Sequence, residues 1–236
     1  MKKTLISCLR ALLFSTCIFI FCYDTNVQVF ETKTTNTKLI QNQYVFENDT
    51  LKISYNLWKE HGLMAFNVYN KLSIPIYIDW KNSAFIVNSK KLDFGPDIEE
   101  RITSLPPKAE LTNSRFVLIP SNIQYIPVQG YDTKTVPSTY NPKNSTVLFE
   151  TEFSYNDSPL KFRNFLVVAT SEKFEKEFYI DNEFYVSKST VMRNRNFCGQ
   201  TINSNPPAPN AFEYPYKIKT GFYLLNVPEI NTISHH

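Results

Sequence analysis

From Gln43 onward, apolar residues fall at every second position. In LKISYNLW, Leu51, Ile53, Tyr55 and Leu57 alternate with Lys52, Ser54 and Asn56, and in MAFNVYN, Met64, Phe66 and Val68 share one face. A period of two puts successive side chains on opposite faces of an extended chain, so these segments read as half-buried strands rather than helices. KEHG (59–62) separates the two runs and reads as a hairpin turn, with Gly62 in the strained position. The alternation continues in NKLSIPIYIDWKNSAFIVN, where Ile74, Ile76, Ile78 and Trp80 point one way. Pro75 stands near the start of that run, where a missing N–H is tolerated.

Further strands are expected at AFIVN (84–88), FVLIP (116–120) and IQYIP (123–127). STVLFETEFSY, KFRNFLVVATS and EFYIDNEFYVSKSTVM follow, and YKIKTGFYLLNVPE (216–229) offers a last one. Between them, YDTKTVPSTYNPKNS (131–145) has the composition of a loop, and Asp181–Asn182–Glu183 that of a hairpin turn. SEKFEKEF (171–178) reads as a short helical turn, because Phe174 and Phe178 are four apart. About eight or nine strands with no long helix predict an all-β chain, an antiparallel β-sandwich of immunoglobulin-like or related type. An aromatic content of 15% suits strands, and only 5 glycines argue against a phosphate-cradling loop.

The amino terminus has a different texture. Lys2, Lys3 and Arg10 precede the uncharged run ALLFSTCIFIFCY, so residues 1–22 read as a signal peptide or membrane anchor. These residues carry three of the 25 basic side chains and none of the 22 acidic ones; 25 less 3 leaves 22 against 22. The mature chain is therefore neutral, and nucleic acid is not an expected partner. Cys8, Cys17 and Cys22 lie in the same segment, which leaves Cys198 without a disulfide partner beyond it. Cys22 is the lipidation candidate; Phe21 stands before it where processing favours a small residue, and the alternative is an ordinary apolar residue of the signal. Residues 23–42, rich in Thr, Asn and Lys, read as a polar tether whose VQVF is a possible edge strand. The sandwich domain is placed at 43–192, and 193–236 as a Pro- and Asn-rich extension with one possible strand.

Motifs of known chemistry are scarce. His61, His235 and His236 are the only histidines, which removes the base from most Ser–His and Cys–His arrangements. Neither a metal-ligand spacing nor a cofactor fingerprint occurs, so no catalytic residue, metal or cofactor is expected. Cys198 reads as a packed thiol. Asp79, next to Trp80, pairs with Lys81 or Arg163 or caps the following turn, while Trp80 anchors the core at the strand's end. Tyr131, Tyr140, Tyr214 and Tyr216 stand in proline-rich loops and are candidate ligand contacts, since loop tyrosines stack on sugar faces or form protein contact patches.

YVFENDTLKISYNLW, FNVYNKLSIPIYIDWKNSAFIVN, RFVLIP, SPLKFRNFLVVATSEKF and EFYIDNEFYVSKSTVM, in this order, resemble an uncharacterised family of exported, often lipid-anchored bacterial envelope proteins. The resemblance covers residues 43–192, and IYIDWK and FRNFL are its most specific parts. It implies a fold and a location, and carries no activity or site residue with it. The expected function is that of a non-enzymatic envelope module, held at the membrane by its N-terminus and meeting an envelope or surface protein partner. The alternative is an exported carbohydrate-binding or carbohydrate-cleaving domain.

Overall fold

The computed structural model describes residues 25–94, 101–199 and 215–228. In chain order the strands are β1 (Asn26–Thr34), β2 (Lys38–Ile40), β3 (Gln43–Glu47), β4 (Leu51–Asn56), β5 (Leu63–Asn70), β6 (Ile76–Val87) and β7 (Lys90–Asp93). They continue with β8 (Ile102–Leu105), β9 (Glu110–Val117), β10 (Asp132–Pro137), β11 (Ser145–Glu152), β12 (Lys161–Ala169), β13 (Glu177–Arg193) and β14 (Gly221–Val227). Among the described residues a short helix, α1 (Asn194–Cys198), follows β13. The strands form two antiparallel sheets. The smaller runs β2-β3-β4-β5-β9; the larger runs β10-β11-β13-β12-β6-β7, with β1 beside β13, β14 beyond β1, and β8 beside β6.

The two sheets meet over one apolar layer. Leu51, Ile53, Met64, Phe66 and Val68 of the smaller sheet face Ile76, Ile78, Phe162, Leu166, Ile180 and Phe184 of the larger. The chain is thus the all-β antiparallel sandwich that the alternation predicts. Two tyrosines of the smaller sheet reach polar groups across this layer. Tyr44 donates its hydroxyl hydrogen to the Thr32 carbonyl, and the fully buried Tyr55 hydroxyl accepts from Asn164 Nδ2 (3.2 Å) and Asn182 Nδ2 (2.6 Å).

β13 is the spine of the larger sheet. β12 pairs with its first half and β11 with its second along one side, while β1 runs along the other. Asp181, Asn182 and Glu183 therefore lie in the middle of a 17-residue strand, not in a hairpin turn. The turn propensity of these residues is overridden because each finds a partner: Arg163 on the neighbouring strand, Tyr55 of the smaller sheet and Tyr155 of the β11–β12 connection, respectively. The turn lies earlier, at 170–176, where Phe174 takes φ 53° and no helix forms.

The segment expected as a tether contributes β1 and β2. Val27, Val29 and Phe30 are buried, and β1 is flanked on both sides, by β13 and β14. The sandwich consequently extends past 43–192 in both directions, to Asn26 and to Val227. The 131–145 segment is also more ordered than its composition suggests, since β10 pairs along the edge with β11. IQYIP, by contrast, is not a strand. Its Ile126 N–H donates to Gln28 Oε1 (3.1 Å) and its Ile126 carbonyl accepts from Gln28 Nε2 (2.9 Å), so a buried side chain satisfies the backbone groups a strand neighbour would have taken.

Residues 76–87 form one strand instead of two joined by a bend. The register against β12 shifts between Phe165 and Val167, and Asp79 fills the irregularity. Its Oδ1 accepts from the N–H of Lys81 (2.9 Å) and of Asn82 (3.2 Å), and its Oδ2 from Asn82 Nδ2 (2.7 Å). Trp80 is buried and donates from Nε1 to Thr103 Oγ1 (2.8 Å). Ile74, expected in line with it, precedes the strand behind Pro75 and is 50% exposed. At the KEHG turn, Gly62 has φ 68°, and a Cβ there would come within 2.7 Å of Leu118 Cδ1.

Candidate functional site

The four loop tyrosines do not form one patch. Tyr131 and Tyr140 sit at opposite ends of β10. Tyr131 is half-buried and its hydroxyl accepts from Gln28 Nε2 (3.3 Å), with burial pushing its pKa up. Tyr140 stands in the β10–β11 connection, 53% exposed. Tyr216 packs on a second, smaller core with Val27, Val29, Met192 and Phe197, and burial raises its hydroxyl's pKa. Tyr214 and Cys22 lie outside the described residues. Cys198 is half-buried, its thiol bonded to Asn194 Oδ1 (3.4 Å) and pushed up in pKa by burial. Among the described residues no three His, Cys, Asp or Glu side chains gather as a metal site, and no helix is long and apolar enough to cross a membrane.

A solvent-open cleft of about 350 Å³ lies where α1 leaves the larger sheet, lined by Asn26, Ser145, Thr146, Met192, Arg193 and Arg195 among others. Asn196 fixes its wall, donating from Nδ2 to Thr146 Oγ1 (2.7 Å) and accepting at Oδ1 from Ser138 Oγ (2.6 Å).

A set of interacting polar and aromatic side chains lies elsewhere, on the outward face of β12 and β13. Strand alternation sends Asn164, Leu166, Ile180, Asn182 and Phe184 inward. The intervening positions, Lys161, Arg163 and Phe165 on β12 and Tyr179, Asp181, Glu183 and Tyr185 on β13, therefore point outward. From Tyr179 to Tyr185 this row extends about 20 Å at the rise of an extended chain.

The side chains along the row are mutually ordered. At one end Phe165 and Tyr179, diagonal neighbours across the strand pair, stack with their planes 16° from parallel and ring centres 5.7 Å apart. Tyr179 is 58% exposed, and its hydroxyl donates to Glu177, which raises the phenol's pKa. In the middle, Arg163 forms a two-pronged pair with Asp181, with Nε 2.9 Å from Oδ1 and the second prong from Nη2 to Oδ2. Both side chains keep 38% of their surface in solvent. At the far end, Tyr155 rises from the β11–β12 connection. It donates to Glu183 Oε1 (2.7 Å), meets Tyr185 edge to face at 5.4 Å, and carries the Lys161 ammonium 4.5 Å above its ring. The Glu183 carboxylate beside it raises the Tyr155 pKa.

Arg163, suggested as a partner for Asp79, is committed to Asp181 instead; Asp79 spends its carboxylate on the 81–82 backbone and Asn82. The sequence carried a signal for this face. Reading every second residue outward from the buried ones gives Lys, Arg, Phe on one strand and Tyr, Asp, Glu, Tyr on the next. Placing a turn at 181–183 breaks that row in two and hides it.

Such a surface has polar groups held in place and a ring face open to solvent. Those are properties of a contact surface that loses little side-chain entropy on binding. Its carboxylates, Asp181, Glu183 and Glu177, are already engaged as acceptors by protein donors. No protein-family model, no curated protein and no solved structure matches this chain.

Proposed function

We propose that this chain is an exported, non-enzymatic binding module of the cell envelope that meets its partner with the outward face of β12 and β13. The observation that carries this reading is the ordered row from Phe165 and Tyr179 through Arg163–Asp181 to Tyr155 and Tyr185. Tyrosine and arginine are the residues that dominate binding energy at interfaces, and here their rotamers are set before any partner arrives. The N-terminal basic and apolar segment supplies the location, with Cys22 as lipid attachment point or the segment itself as signal or anchor. The resemblance to exported envelope proteins points the same way, and its FRNFL segment contains Arg163 and Phe165.

Sedimentation with isolated envelope material tests this directly. The purified protein is expected to co-sediment, and Tyr179→Ala together with Arg163→Gln to weaken that binding by about tenfold or more, as loss of two anchor residues does. Both residues are at least one-third exposed, so the melting temperature stays within a few degrees of the parent. Unchanged binding of this double variant would remove the face from the account.

A further inference from the structure

The geometry points to a neutral saccharide chain as the ligand of this face, an assignment that rests on the binding reading above. Three features select that chemistry. First, Tyr179 stacks on Phe165 with the ring planes 16° from parallel and stays 58% exposed, so an ordered aromatic ring is offered to solvent. A pyranose ring has a face of C–H bonds that packs on an aromatic π-surface, and successive sugars present such faces along a line.

Second, the polar groups beside the rings are ordered yet incompletely used. Of the five N–H donors of Arg163, two go to Asp181, and a carboxylate has about four acceptor positions. Adjacent donor and acceptor positions on a planar, fixed ion pair suit vicinal hydroxyls, which both donate and accept. The hydroxyls of Tyr155 and Tyr179 are held by Glu183 and Glu177, so they remain oriented as acceptors at either end of the row.

Third, the row carries no excess of positive charge. Lys161 and Arg163 are answered by Asp181 and Glu183, and Glu177 adds one more carboxylate at the Tyr179 end. No excess of cations exists here to gather an anionic polymer such as a uronate, teichoate or nucleic acid. The row of about 20 Å accommodates several sugar units of a chain rather than a single monosaccharide.

Affinity electrophoresis of the full-length protein through gels containing single polysaccharides decides the matter. The neutral panel is hydroxyethyl-cellulose, xyloglucan, galactomannan, mannan, dextran and glycogen; polygalacturonate and alginate are the anionic comparisons. At least one neutral polymer is expected to retard the protein. Tyr179→Ala is expected to lower that affinity by about tenfold, while Tyr140→Ala, a comparably exposed tyrosine on another edge, leaves it unchanged. Tyr179→Phe keeps the ring and retains most of the retardation, which separates stacking from folding.

Retardation only by the anionic polymers overturns the assignment, and so does retardation by none of the panel. If the panel fails while Tyr179→Ala with Arg163→Gln still weakens envelope sedimentation, the ligand is a protein and the binding surface survives. If neither assay responds to the variants, the surface and the ligand assignment fall together.

Discussion

Replacing Gly221 by valine is expected to detach the last strand and to cost the fold more than any surface change. A Cβ at this position would lie 2.5 Å from the Phe30 carbonyl oxygen and 2.8 Å from Ile218 Cγ1. The first contact is backbone of the neighbouring strand and has no rotamer to yield. Relief requires β14 to move off β1, and β14 has more than one attachment. It buries Phe222, Leu224 and Val227, and Phe222 stacks on Phe30 at 4.8 Å. It also closes the seam towards the smaller sheet. His61 N–H donates to the Tyr223 carbonyl (2.8 Å), and Leu57 N–H to the Lys219 carbonyl (2.8 Å). Exposing Phe222 and Leu224 alone forfeits about 1.5–3 kcal/mol for each side chain. Gly221→Val should therefore lose at least about 3 kcal/mol in a denaturant titration, with trypsin cutting at Lys217 and Lys219 well before global unfolding. Gly130→Ala is the matched control. Its φ of 72° is left-handed, but nothing lies within 4 Å of the new methyl group, so its cost stays near about 1 kcal/mol.

Tyr55→Phe is the second large effect, and it removes a single oxygen. Tyr55 is fully buried, and its hydroxyl accepts from two amides, those of Asn164 and Asn182, which have no solvent exposure either. The Oδ1 atoms of both asparagines have no partner among the described residues, so the phenol oxygen is the centre of the cluster. Taking it away orphans two buried N–H donors at about 1–3 kcal/mol each, for an expected loss of about 2–5 kcal/mol. The triple variant Tyr55→Phe, Asn164→Leu, Asn182→Leu should recover most of that loss, because removing all partners together leaves no desolvated polar group behind. A Tyr55→Phe loss below about 0.5 kcal/mol would mean that this cluster does not tie the two sheets. The same two asparagines flank Arg163, Phe165, Asp181 and Glu183 along their strands, so the cluster also fixes the floor from which this outward row projects.

How far the sequence revealed this arrangement depends on where each strand sits. β4, β5 and the apolar start of β6 have one face in the core and one in solvent, and their alternation displays the strand period openly. β1 and β10 do not. Thr, Lys and Asn dominate their surroundings, and what orders β1 is pairing on both sides with β13 and β14, which are distant in sequence. Composition cannot report such partners. The loop at 123–127 shows the converse. It carries an apolar, strand-like sequence, yet its hydrogen bonds go to the side chain of Gln28, a residue read as part of a polar tether.

The outward row of β12 and β13 is hidden in the sequence for a related reason. Asp, Asn and Glu in succession favour turns locally, and partners distant in sequence, Arg163, Tyr55 and Tyr155, favour a continuous strand there. The prolines around the loop tyrosines signal exposure there instead. Tyr131 is in fact half-buried against Gln28, and Tyr216 packs on the smaller core.

The central claim is that the β12–β13 face is where this protein meets its partner. Site-specific photocrosslinking in intact cells tests it most directly. A benzophenone-bearing phenylalanine is placed at Tyr179 in one strain and at Tyr140 in another, two tyrosines that are 58% and 53% exposed on different parts of the larger sheet. The account predicts high-mass adducts from position 179 that the Arg163→Gln background diminishes, and none above background from position 140. Equal labelling at both positions, or labelling at 140 alone, would contradict it.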